Sequence, residues 1–169
     1  ADGFLKLTEH LQNIEQRVSK MSLEHLAANT KAKATELIRR MSRRLEHLQE
    51  NTATMITKGQ CENALGFRLR CVSPSDFGFH NAIRTPKGIK FFDFEFAGWD
   101  DPVKAVADFD LQPRVPLILR ERVLTKALPQ WSRSLEKRHD VLFPILELKW
   151  ACIILAMLNP DRYAQIAAL

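Results

Sequence analysis

Cysteine is scarce in this chain, with only Cys61, Cys71 and Cys152, none in a CxxC pair and none near a histidine at zinc-ligand spacing. That rules against a thiolate zinc centre, and an odd, sparse set points to a reducing compartment. A long apolar run is missing too. The most apolar stretch, residues 142–158, is interrupted by Pro144, Glu147 and Lys149 and falls short of a bilayer span. A buried core helix is expected there, and no membrane partner. The opening Ala1-Asp2-Gly3 lacks the basic-then-apolar order of a secretion signal. Together these absences predict a cytoplasmic location. No internal repeat or low-complexity segment occurs.

What the chain does have is enough apolar material for one core: 46% of its 169 residues are hydrophobic. Its net charge of +5 is uneven. Residues 1–60 hold ten basic and seven acidic side chains and residues 111–169 nine and five, but residues 61–110 hold six and eight. One acidic third inside a mildly basic body suits a carboxylate cluster awaiting a divalent metal, within a surface that attracts a polyanion such as a nucleotide.

Two amphipathic helices open the chain. Leu7, Leu11, Ile14, Val18 and Met21 step by four and three, and Ala34, Ile38, Met41, Leu45, Leu48, Thr52 and Met55 do the same. Asn29 or Thr30 is expected to cap the second, giving an antiparallel pair over residues 1–58. The basic run Arg39-Arg40 and Arg43-Arg44 recurs at helical spacing opposite an apolar face, so it reads as a solvated face and not as a nucleic-acid patch. After Lys58-Gly59-Gln60 the period changes. Residues 67–72 alternate like a strand, 82–85 form a short strand, 88–94 another, and Pro86-Lys87-Gly88 supplies the turn between the last two. From Pro102 helices return, expected at 102–109, 116–128, 131–138, 141–158 and after Pro160. The predicted class is α+β, mostly α-helical.

The acidic third carries two clusters, Asp76-Phe77-Gly78-Phe79-His80-Asn81 and Asp93-Phe94-Glu95, on either side of the predicted turn. An Asp and an Asn five residues apart can stand at the two ends of a tight loop, one toward an acceptor hydroxyl and one toward a metal. A second Asp from the following strand can then complete an oxygen shell suited to Mg²⁺.

These residues, with the continuation Phe96-Ala97-Gly98-Trp99-Asp100-Asp101-Pro102, resemble the aminoglycoside phosphotransferase and choline kinase group of small-molecule kinases. The resemblance covers about residues 68–110 and implies the C-terminal lobe of a protein kinase-like fold, with a small β-hairpin over 66–96 carrying the catalytic and metal motifs and a helical substrate-side region over 102–169. It implies Asp76 as catalytic base or hydroxyl-orienting residue, Asn81 and Asp93 as ligands of Mg²⁺ on the phosphates of ATP, and Asp108 as a structural acidic residue. Glu95 either joins a second metal or pairs with a nearby basic side chain. His80 is expected to be a loop hydrogen-bonder and Trp99 a packing residue beneath the metal strand. The Asp76-Phe77-Gly78 triplet also spells the metal motif of protein kinases, but residues 51–72 hold no Asp to serve as the preceding base, so the triplet is read as coincidence.

Ser73-Pro74-Ser75 stands where the family usually has His-Gly before the loop Asp. No glycine-rich loop and no strand lysine precede the site, so the nucleotide-clasping N-terminal lobe is expected to be absent from this chain, and the isolated chain is expected to turn over little ATP. The expected activity is transfer of the γ-phosphoryl group to a hydroxyl of a small molecule. The net basic residues 111–169 suit an anionic or neutral acceptor better than a polycationic one. The competing reading is a non-catalytic kinase-like module for binding or scaffolding. A basic coiled-coil nucleic-acid binder would leave the acidic clusters unexplained.

Overall fold

The apolar stride of the N-terminal segment is realised as two helices, α1 (Leu7–Ser19) and α2 (Ala28–Thr57), in a computed structural model that describes residues 3–75, 78–112 and 132–168. Leu7, Leu11 and Ile14 of α1 and Met41, Leu45 and Leu48 of α2 are buried in one core. The pair is antiparallel, because the chain leaving α2 returns beside the start of α1. Leu7 N–H donates to the Asn63 carbonyl and Leu65 N–H to that of Leu5, both at 3.0 Å. The expected cap is displaced. α2 starts from Ala27, whose side chain can accept nothing, and Asn29 and Thr30 lie inside its first turn.

Four short strands follow as two nested antiparallel pairs. β1 (Cys71–Ser73) pairs with β4 (Gly98–Asp100), and between them β2 (Ala82–Thr85) pairs with β3 (Gly88–Phe91). Residues 67–72 therefore do not form the expected strand: Phe67–Leu69 is a single 3₁₀ turn, with Phe67 exposed against Trp99. The expected strand over 88–94 stops at Phe91, because Asp93 adopts φ 66°, a left-handed conformation that cannot continue a pleat. The turn falls where proline and glycine place it. Pro86 and Lys87 occupy its centre, and Gly88 has φ 111°, which a side chain would strain.

Helix α3 (Pro102–Leu111) is started by Asp101, whose carboxylate accepts from Val103 N–H at 2.9 Å, with proline in the first turn where no N–H is needed. The expected helices at 131–138 and 141–158 are one helix, α4 (Arg133–Ile154), capped by the Ser132 hydroxyl. Pro144 removes one internal hydrogen bond without ending it, since Leu142, Ile145 and Leu146 on either side are fully buried. A 3₁₀ turn at Ala156–Leu158 leads to α5 (Pro160–Ala167). The helix expected at 116–128 lies outside the described residues. The architecture is α+β and mostly helical: α1, α2, α3 and α4 enclose the core and the β ribbons lie at its edge. Among the described residues no helix is long and apolar enough to cross a membrane.

Candidate functional site

Two of the four sequence-predicted site residues, Asn81 and Asp93, flank the β2–β3 hairpin at its open end. Its register pairs Ala82 with Phe91, and the ladder extends one step further, with Phe92 N–H donating to the Asn81 carbonyl at 3.0 Å. Asn81 thereby faces Phe92 at the open end of the hairpin, and Asp93 lies one residue beyond. Asn81 is buried and Asp93 exposed. Asp93 sits where the strand breaks, and an aspartate tolerates the left-handed backbone better than most residues because its short side chain can bond locally. Glu95 is not brought to that end: it lies two residues on, in an exposed turn closed by Ala97 N–H on the Phe94 carbonyl at 3.0 Å. Asp76 lies outside the described residues. Its neighbour Ser75 has φ 69°, with its N–H held by the Ser73 hydroxyl at 3.0 Å. A notch of about 60 Å³ has Ser73 and Ser75 on one side and Phe96, Ala97 and Gly98 on the other.

The segment into Asn81 is docked on the end of α3. Phe79 meets the Phe109 ring edge-on at 5.8 Å. Gly78 leaves room that any side chain would fill, since a Cβ there would fall 2.8 Å from the His80 ring and 3.3 Å from the Gln112 carboxamide. Trp99 does not pack beneath the metal strand as expected. It pairs with Val72 on the outer face of β1–β4, and both are more than half exposed.

Below the hairpin lies a buried ionic strap that sequence reasoning largely missed. Asp100 ends β4, and its carboxylate accepts from Asp101 N–H at 2.8 Å and from Lys104 Nζ at 2.7 Å. Lys104, only 1% exposed, also meets Asp108 at 3.2 Å, and Lys149 reaches Asp108 from α4 at 3.6 Å. Trp150 Nε1–H donates to the other Asp108 oxygen at 3.0 Å. Burial pulls the Lys104 pKa down, but attraction to Asp108 and Asp100 outweighs it and leaves the ammonium group above its ordinary value. Asp101 receives Arg138 Nε–H from α4, and the same guanidinium donates to the Glu62 carbonyl at 2.9 Å and the Leu5 carbonyl at 3.0 Å. His10, beside the strap, is held neutral: burial, then the Lys149, Lys104 and Arg138 cations, lower its pKa to about 3.

The expectation that Asp108 is structural agrees with these contacts. Lys104, Arg138 and Lys149 carried no signal of their own, because a lysine or arginine on an amphipathic helix is usually solvated. Helical spacing was the available clue, since Asp100, Lys104 and Asp108 fall at i, i+4 and i+8. Among the described residues no group of three His, Cys, Asp or Glu side chains is placed to hold a metal. No family model, curated protein or solved structure matches the chain.

Proposed function

We propose that this chain is the catalytic C-terminal lobe of an ATP-dependent phosphotransferase acting on a hydroxyl of a small molecule. The observation that supports the reading is the hairpin register, in which Asn81 faces Phe92 and Asp93 follows one residue beyond, where the ladder ends. The donor set fits Mg²⁺: one carboxylate and one carboxamide oxygen are enough for an ion that keeps waters and takes phosphate oxygens for the rest of its shell. Bound with ATP, the ion would offset charge on the phosphates. Asp93 and Asn81 would hold it, and Asp76, five residues before Asn81 in sequence, would orient the acceptor hydroxyl and take its proton. The ionic strap supports this role by fixing β4 and the start of α3, into which the chain runs after Asp93.

A second reading, a kinase-like binding module, is favoured by the exposed apolar side chains on and around the ribbons, Phe67, Val72, Ile83, Ile89, Phe94 and Trp99. One experiment separates the two. With Mn²⁺ standing in for Mg²⁺, paramagnetic broadening of amide signals is followed in the presence of ATP. The phosphotransferase reading expects broadening centred on Asn81 and Asp93 and its loss in Asp93→Asn. Uniform or absent broadening with a folded spectrum would reject it in favour of the binding module.

A further inference from the structure

Between the loop that leaves α2 and the first turns of α4 lies a cavity of about 310 Å³, at the lower end of the range of small-molecule sites, roughly 300–1,000 Å³. One wall is helical. Arg133 and Lys137 stand four residues apart on α4 and both line the cavity, so they rise from one face of the helix. The facing wall is the loop after α2, which contributes Glu62. All three residues are exposed, and among the described residues none of their side chains has a hydrogen bond or an ion pair. Two cations from one side and one carboxylate from the other therefore border the same small space. Ala64, Leu65 and Leu69 add apolar surface beside them.

The walls are fixed by backbone bonds and by a buried cation. Gly59 turns the chain out of α2 with φ 64°, its N–H donating to the Ile56 carbonyl at 3.0 Å, and Gln60 N–H donates to the Met55 carbonyl at 2.9 Å. Arg138 also lines the cavity, but it is buried and committed: Asp101 matches its charge, and its remaining N–H groups hold the Glu62 and Leu5 carbonyls. It clamps the loop to α4 and leaves the free charge to Arg133, Lys137 and Glu62. The Cys61 thiol in the same wall stays uncharged, its pKa pushed up chiefly by burial.

We infer that this cavity binds a small zwitterion of the ω-amino acid class, its carboxylate held by Arg133 and Lys137, its ammonium group by Glu62 and its carbon chain against Ala64, Leu65 and Leu69. Like charges four residues apart on a helix repel, so a carboxylate received between Arg133 and Lys137 relieves them, and the guanidinium offers it paired N–H donors. The lining also selects against partial matches. A simple anion leaves Glu62 beside a ligand of its own sign, and a simple amine is met by two cations. This inference is independent of the phosphotransferase reading: the ligand carries no hydroxyl, and the cavity shares no residue with Asp76, Asn81, Asp93 or Glu95.

Titration of the full chain with 6-aminohexanoate, followed by methyl NMR, tests it. Saturable shifts at Ala64, Leu65 and Leu69 are expected at millimolar ligand, with hexanoate and hexan-1-amine each binding about tenfold more weakly or worse. Glu62→Gln is expected to weaken 6-aminohexanoate by about tenfold without weakening hexanoate, and Arg133→Gln combined with Lys137→Gln to weaken it by about tenfold or more without weakening hexan-1-amine. These positions are exposed, and Glu62 meets Arg138 through its backbone carbonyl, so the variants keep the packing of the fold. Equal binding of hexanoate would reduce the site to a pair of surface cations, and equal binding of hexan-1-amine to a lone carboxylate. Either result would overturn the inference, as would absence of shifts at these methyls or 6-aminohexanoate binding unchanged by Glu62→Gln.

Discussion

Lys104 is enclosed to a degree rare for a lysine and is kept ionised by two carboxylates on its own side of the fold. Replacing it by methionine preserves most of the packing and leaves Asp100 and Asp108 facing each other across an apolar side chain, although Lys149 still reaches Asp108. Removing one member of a buried ion group costs about 3–5 kcal/mol, so Lys104→Met should lower the urea midpoint sharply. The double change Lys104→Met with Asp100→Asn should recover part of the loss. His10 makes a second residue-scale prediction. It stays neutral in the fold down to pH about 3, whereas in the unfolded chain it takes a proton near the ordinary histidine value of 6.5. The unfolded state therefore binds more protons below pH 6.5, and the contribution of His10 to stability is complete above that pH and is lost as pH falls toward 3. The slope in that window approaches about 1.4 kcal/mol per pH unit from this residue alone. Urea titrations at several pH values should show it, and His10→Leu should flatten it.

At the scale of elements, what could be read from sequence followed what is periodic. The α1 and α2 strides, the strand at 82–85 and the proline–glycine turn are local patterns, and the fold realises each of them. The exceptions have non-local causes. Residues 67–69 alternate like a strand but have no partner, because β4 pairs only with 71–73. The break expected between residues 138 and 141 does not occur, because Arg138, Val141 and Leu142 are buried along one continuous helix. The turn at Pro86-Lys87 dictates the register that sets Asn81 opposite Phe92, and Lys104 meets Asp100 and Asp108 at local helical spacing, whereas Arg138 and Lys149 reach across from another helix, which no local pattern encodes. α2 provides an element-scale prediction. It begins at an exposed Ala27 with no side-chain cap. Ala27→Asp would accept from the first-turn N–H groups and add negative charge at the helix start, for a gain of about 0.5–1 kcal/mol. Thermal unfolding should shift upward by about 2–4 °C.

At the scale of the molecule, the helical core is continuous and the ionic strap crosses it. Arg138 is the point where the strap gathers the most distant parts of the chain, bonding Leu5, Glu62 and Asp101 across 133, 76 and 37 positions of sequence. A junction of that kind has a kinetic consequence. Its contacts close long loops, up to 133 positions, so they form after the helices have met, on the native side of the folding barrier. Arg138→Lys, which keeps the charge but loses the fork that reaches all three partners, should therefore leave the refolding rate nearly unchanged and accelerate unfolding. In a chevron plot the high-denaturant arm would rise while the low-denaturant arm stays in place, so that Arg138 governs how long the folded molecule lasts and not how quickly it is made.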